Sequence, residues 1–553
     1  MSFSHSAEEL QEVLQRILKS PPIDYSAEPC SESMTLGRIC GPCMQLETVE
    51  TQLYAYLEEI NKLLRIQAEA KQRVNQHHDP LTRHLPVEIS SYIFSIYTDD
   101  VNSDFDPQSS VIGRHGPLVL AAVSKTWRRV AFSTPELWST VNIHIRSSDN
   151  LRTKVELTKE WLNRSRRLPL HLSLVYRSSN VVEPEPNPLI PLFNLVQNVS
   201  PRWRKLVLGV PPTFYTAFFG EVTCVPTLET LKLFDDADEE GDFHLPHTPS
   251  LKHLDIRLCI PFSAISIDWS TLTTVEANKI LVEEYFDVLR LSERLESLRL
   301  RGLIGQPEYP LPTTPITHSA LRELYLETSE EYWIDPSELV TILDFSAFPS
   351  LEKFGYNSLV RSSFPNSAIP SIFNRSRCRL THFHLYGDLR NGTTNDLISI
   401  LSDLPTLTHF KLEDKYSQRL DDALMSNKLL QSLTPIHGSE FTRDRLLPRL
   451  ESLEFVGHKA FLWSCLASVV SATALDGGPD LRVTPERPEC TNSIRHISFS
   501  VYIVEEMERI DIQSLAHLQG AHRAGIFHCQ VFRGEFKDQV IDPFGWGDDH
   551  RHP

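Results

Sequence analysis

Two groups of residues have types and spacings that bear on chemistry. Cys40-Gly41-Pro42-Cys43 spells a Cys-x-x-Cys dithiol. Thiol–disulfide exchange needs the first sulfur at a helix N-terminus that follows a strand, where the dipole stabilises the thiolate. The residues after Cys43 have helical spacing. Those before it, Glu28–Ile39, are too polar and short for a core strand, and no βαβ unit follows. Cys30 is near enough in sequence to be a third metal ligand. The reading expects ordinary loop thiols and keeps exchange through Cys40 and Cys43 as a remote alternative. The second group is His382, His384 and His409 with Lys353 and Lys411. Residues two apart on a strand point the same way, so on paired strands these side chains share one face at roughly 5 Å per strand. Zinc needs a fourth donor that the sequence does not supply, so no metal or cofactor is expected. Two readings stay open for the cluster: a basic, pH-sensitive patch for an acidic peptide or phosphate, or an ordinary solvated strand face. The acids between Asp235 and Asp242 lack calcium-loop spacing and read as a loop. There is no Walker loop, no Gly-x-Gly-x-x-Gly after a strand, no Gly-x-Ser-x-Gly and no His-Glu-x-x-His. No catalysis is expected of the chain.

The elements that position the histidines are repeats. Leu-x-x-Leu-x-Leu, or a close apolar variant, begins at residues 203, 228, 251, 272, 295, 321, 351, 380, 407, 450 and 494. Most of the gaps lie in or near the window of about 20–29 residues that marks leucine-rich repeats. Each unit offers a short strand with alternate apolar residues, and only stacked units can bury such a face. Glu283–Leu291, Pro336–Leu343 and Asn395–Leu401 have helical spacing and can cover the other side. LPLHLSL (168–174) reads as a degenerate first strand. The predicted fold class is therefore α/β: an irregular leucine-rich repeat arc over 146–535 behind helical segments. Its concave positions include Arg299, Tyr325, Lys353, His382, His384, His409 and Lys411, which are the candidate substrate-binding residues.

The segments before the repeats are helical. Residues 1–45 hold a short amphipathic helix behind the capping box Ser6-x-x-Glu9, then a loop rich in Ser, Pro and Gly. Over 46–78, Leu46, Val49, Leu53, Tyr56, Ile60, Leu63, Gln67, Ala70 and Val74 alternate steps of three and four, which is a heptad seam. It fits either a helix packed on its own protein or a coiled coil that makes a homodimer. Residues 79–145 form a compact block. It holds a helix over Glu88–Tyr97, a polar insert at 99–116, a second helical segment from Leu118 to Ala131, a restart at STPELW (133–138) and a strand at 141–145. A C-terminal tail is set at 536–553, and its residues 541–553 are expected to be disordered or loosely packed.

Composition sets the outer limits. The 553 residues carry 54 Lys plus Arg against 72 Asp plus Glu, a net charge of −18. That excludes nucleic acid or an anionic membrane as a partner of the overall field. No apolar run reaches the roughly 18 residues of a membrane span. The first twenty residues lack the pattern of a signal peptide. Nine cysteines, an odd count, fit reduced thiols in the cytoplasm or nucleus.

The runs HLPVEISSYIFSIY (84–97) and PLVLAAVSKTWRRVAFSTPELWSTVNI (117–143) resemble an F-box. They resemble most the F-box of a large fungal family that carries a polar insert after the first helix and leucine-rich repeats behind. The likeness is specific only within the F-box. It implies a non-catalytic substrate receptor of an SCF-type ubiquitin ligase. The F-box would dock on a Skp-type adaptor, and through it on cullin and RING subunits, while the repeats hold a target protein. By the same resemblance Leu85, Pro86, Ile89, Phe94, Leu120, Val123 and Trp127 contact the adaptor or shape the docking surface. The alternative is a protein-interaction scaffold outside any ligase.

Overall fold

The structure is a computed structural model that describes residues 41–103, 116–146, 150–177, 187–234, 245–257, 262, 265, 267–304, 312–327, 341–358, 367–387, 389, 392–414, 423–434, 446–474, 494–503, 510–533 and 539–541. The chain divides into two compact units between Trp138 and Ser139.

The first unit is helical. Helix α1 (Gly41–His78) is unbroken for 38 residues. No Gly or Pro follows Pro42 within it, and Leu, Gln, Glu, Lys and Ala dominate. Asp79 ends it and N-caps the short α2 (Pro80–His84), whose first position is proline. Helix α3 (Val87–Ser103) comes next. The single helical segment expected over 118–131 is two helices, α4 (Pro117–Val123) and α5 (Lys125–Ser133), broken at Ser124. The Ser124 side chain leaves the helical path to accept from Trp127 N at 3.1 Å, an N-cap. A 3₁₀ turn, Pro135–Trp138, closes the unit. Phe94, Leu120, Val130, Leu137 and Trp138 are buried. The Trp138 indole donates to Ala131 O at 2.8 Å, so its polar end is satisfied.

The second unit is a repeat solenoid. Its sheet has fifteen strands in the order β1-β2-β3-β4-β5-β6-β7-β9-β11-β12-β13-β14-β15-β16-β17. They are β1 (Thr140–Arg146), β2 (Leu170–Arg177), β3 (Trp203–Gly209), β4 (Thr230–Phe234), β5 (His253–Arg257), β6 (Thr274–Leu281), β7 (Ser297–Ile304), β9 (Glu323–Glu327), β11 (Lys353–Ser358), β12 (His382–Gly387), β13 (His409–Asp414), β14 (Ser452–His458), β15 (His496–Ile503), β16 (Phe527–Arg533) and β17 (Gln539–Ile541). Every pairing is parallel except β16 with β17. The missing numbers, β8 (Ile316–Thr317) and β10 (Ser346–Ala347), pair as a separate two-stranded sheet. From β4 to β15 each strand of the large sheet starts at the third residue of its Leu-x-x-Leu-x-Leu motif. The motif therefore sets the register. Leu298, Leu324, Phe354, Phe383, Phe410 and Leu453 are partners in one row, and all are buried. The three phenylalanine rings follow one another at 6.0 and 5.9 Å. Helices α6 (Leu151–Arg164), α7 (Ile190–Gln197), α8 (Tyr215–Phe219), α9 (Val282–Leu291), α10 (Ala368–Ser376), α11 (Thr394–Ser402), α12 (Asn427–Leu433), α13 (Trp463–Ala474) and α14 (Ile512–Arg523) alternate with the strands, and residues from each pack into the same core. Hydroxyls entering four of the motifs tie those repeats to the one before: Thr227 donates to Trp203 O, Ser250 to Pro226 O, Thr271 to Leu251 O and Thr406 to Leu380 O, all at 2.7–2.8 Å.

Several expectations change. The strand read as the close of 79–145 is β1, the edge of the solenoid sheet, so that sheet starts before residue 146. The degenerate first strand is β2. Glu283–Leu291 and Asn395–Leu401 fall in α9 and α11, whereas 336–340 lie outside the described residues, as do the helix and loop expected over 1–40. Residues 539–541 form β17, antiparallel to β16, while 542–553 lie outside the described residues.

Candidate functional site

On the helical unit, the site is an elbow. The residue before a proline is pushed to extended backbone, and Leu85 (φ −104°, ψ 143°) ends α2 in that conformation. Its N–H donates to Leu81 O at 3.0 Å, and Pro86 O accepts from Ser90 N at 3.1 Å, so both ends of the elbow are fixed. Leu85, Pro86 and Ile89 are exposed. Phe94 and Leu120, read as candidates for the same face, are core residues at 1% and 6% exposure, so they shape the surface from beneath. Val123 and Trp127 are half-buried. The Trp127 ring sits 4.8 Å from that of Phe94, and its indole N–H donates to the Asp79 carboxylate at 2.8 Å. Asp79 also accepts from Leu81 N, Thr82 N and the Thr82 hydroxyl. Burial works to raise its pKa, but these hydrogen bonds outweigh it and hold the carboxyl below the usual carboxylate value.

Sequence reasoning missed part of this face. Val87, Tyr92, Ile96, Leu118 and Val119 are exposed as well. The signal was present: Ile89, Tyr92 and Ile96 follow steps of three and four, while Phe94 lies on the opposite side. An α3 that is apolar over more than half its circumference has one face for its own core and another for something else.

On the solenoid, matching strand positions form rows. Ser297, Glu323, Lys353, His382 and His409 are one; Arg299, Tyr325, Gly355, His384 and Lys411 are the next. The expected neighbours are thus brought together, but the patch is not basic. Lys353 donates to Glu323 at 2.6 Å. Lys411 lies 2.8 Å from Glu413 and 3.8 Å from Glu454, and His384 lies 3.5 Å from Glu413. Burial opposes ionisation of Glu323, yet the Lys353 hydrogen bond and charge keep its pKa low, and Lys353 is raised in return. His382 and His409 stack at 4.1 Å and 5°. Each ring has Nδ1 within 2.9 Å of the hydroxyl of the preceding threonine. Burial, then the neighbouring His409 and Lys353, pushes the His382 pKa down. That shift favours the neutral form of His382.

Beside these rows lies a cleft of about 120 Å³ with Arg299, Arg301, Tyr325, Asn357, His384 and Tyr386 in its lining. It exists because of Gly355. A Cβ there would meet the Tyr325 ring at 2.2 Å, so glycine lets that ring lie across the next strand. The Arg299 guanidinium covers the same ring at 4.5 Å. At roughly 30 Å³ per water the cleft equals about four waters. That is far under the about 300–1,000 Å³ of cofactor and drug-sized sites. It suits one side chain of a bound peptide.

Cys40 lies outside the described residues, and Cys43 falls in the first turn of α1. Among the described residues no group of three or more His, Cys, Asp or Glu is placed to hold a metal ion, and no helix is long and apolar enough to cross a membrane.

No family model matches the chain, and a search of curated proteins finds no match. Among solved structures, the TLR13–ssRNA13 complex superposes with a TM-score of 0.33 and 12% identity over 75% of this chain. The match spans 59% of the TLR13 chain, less than two thirds of its length. The leucine-rich repeat-containing protein LegL7 from Legionella pneumophila superposes with a TM-score of 0.23 and 12% identity, over 73% of this chain and 92% of that one. The repeat architecture of this chain rests on its own strand order and register.

Proposed function

We propose that the chain is a non-catalytic substrate-recognition subunit of an SCF-type ubiquitin ligase, working in the cytoplasm or nucleus. Its helical unit docks on a Skp-type adaptor, and through it on cullin and RING subunits, while the strand face of the solenoid holds a target protein. The observation that carries this reading is the apolar face of the helical unit. Leu85, Val87, Ile89, Ile96, Leu118 and Val119 are all exposed on α3, α4 and the elbow between α2 and α3, on a unit whose core is filled by other residues. Exposed apolar side chains gathered on a small unit mark a protein interface. The F-box resemblance of residues 84–97 and 117–143 names the kind of partner. The solenoid supports the second half of the reading. It offers a long polar strand face with mixed, mutually paired charges and one side-chain-sized cleft, a surface for a protein rather than for a small substrate.

Co-purification of the whole chain with a Skp-type adaptor tests the proposal. The parent binds, and the Leu85→Ala, Pro86→Ala double variant, folded by circular dichroism, binds about tenfold more weakly or worse, as truncation of exposed anchor residues does. A folded parent that ignores the adaptor would leave a scaffold outside any ligase as the better reading. Equal binding by parent and variant would show that the adaptor sits elsewhere.

A further inference from the structure

Helix α1 carries a seam that the described residues of its unit leave open. Val49, Leu53, Tyr56, Leu63 and Val74 are each at least half exposed, although Asn75 near the helix end is tied to Val123 O at 3.0 Å. Among the described residues of the unit, nothing covers these seam positions. The seam's steps of three and four are those of a coiled-coil interface, and from Val49 to Val74 it is about 38 Å long at 1.5 Å per residue.

Charge decides what fits it. From Gly41 to Glu59 the helix has four glutamates and no lysine or arginine; from Ile60 to His78 it has four such bases and one glutamate. Two copies side by side in parallel would set acid on acid and base on base. Reversed, each acidic half meets a basic half. One reversed register satisfies the whole seam. With Ile60 against Leu63 of the second copy, Leu53 meets Ala70, Val49 meets Val74, and Tyr56 meets Gln67. One flank then agrees too. Leu57 falls beside Leu64, and helix position 50, a glutamate by sequence, beside position 71, a lysine. The reversal also sends the bulky remainder of each chain, which follows His78, to opposite ends.

We infer that α1 joins two copies of this chain as an antiparallel coiled coil centred between Ile60 and Leu63. The full-length chain then has the mass of two chains by light scattering at micromolar concentration. Leu53→Glu with Leu63→Glu gives one chain, with an unchanged circular dichroism spectrum because both residues are already exposed. Orientation is read from disulfide cross-linking of differently tagged chains, against the parent's native cysteines as background. Val49→Cys chains couple to Val74→Cys chains, and Val49→Cys chains do not couple to each other. A parent with the mass of one chain would overturn the inference and point to residues 1–40 as the cover of the seam. A two-chain mass with Val49→Cys coupling to itself would overturn the antiparallel arrangement.

Discussion

Replacing Asp79 by alanine should loosen the helical unit without touching the solenoid. Asp79 is the N-cap of α2 and the acceptor for the Trp127 indole, so one carboxylate joins the α1–α2 junction to α5. Loss of an N-cap costs about 1 kcal/mol. The half-buried indole N–H left without its acceptor costs about 1 kcal/mol more. The sum of about 2 kcal/mol is roughly a 30-fold change in an opening equilibrium. Hydrogen exchange read by mass spectrometry gives this locally. Amides of α2 to α5 in Asp79→Ala exchange about 30-fold faster than in the parent, while β12 and β13 are unchanged. Asp79→Asn, which keeps one acceptor oxygen, falls between. The folded-state pKa of Asp79 lies below its unfolded value. Its contribution is therefore complete above the ordinary carboxylate pKa and fades as pH falls through the folded one. The gap between parent and Asp79→Ala must narrow in acid and stay constant toward alkaline pH. A rise of less than about threefold in α2–α5, or an equal rise in β12 and β13, would refute the reasoning.

Other substitutions separate surface from core. Ile89→Asp should abolish adaptor co-purification while leaving exchange in α3 unaltered, because Ile89 is exposed; Phe94→Ala should lose binding by unfolding the unit, with a core cost of about 3–5 kcal/mol. Phe383→Ala opens a hole between Phe354 and Phe410 and should cost about 3–5 kcal/mol, seen as faster exchange in β11 and β13 as well as β12. Gly457→Ala places a Cβ 2.6 Å from Asp414 O, a backbone atom that cannot move aside, and should lower stability by about 1–3 kcal/mol in denaturant unfolding. Gly520→Ala, inside α14 with nothing within 4 Å, should raise it by about 0.5–1 kcal/mol.

The solenoid was legible because its period is carried by leucines at fixed motif positions, and the strands begin where that motif says. Strand β16 escaped because Phe527, Cys529 and Val531 keep the alternation without a single leucine. Of the two readings kept open for the strand face, the basic patch gives way to paired charges for a geometric reason. The expected concave positions stopped one step short along each strand, so Glu413, which lies 2.8 Å from Lys411 and 3.5 Å from His384, was never counted. On the helical unit the sequence marked Leu85, Pro86 and Ile89 as candidates, and all three are exposed. It could not tell Phe94 from Ile96, because a helix apolar on both sides gives no sign of which side meets its own core.

The single reversed strand, β17, has a consequence for how the molecule behaves in a crowd. A parallel ladder can be lengthened at either end by any strand of the same direction, so the open edge of a solenoid is a template for another copy's first strand and for fibre growth. β17 covers β16 with only three residues, so the edge it leaves offers a very short row of unpaired backbone groups for such an addition. Three paired residues, Val531–Ile541, Phe532–Val540 and Arg533–Gln539, thus act as a stop, and their removal should appear as end-to-end aggregation on concentration before it appears as any loss of folded structure.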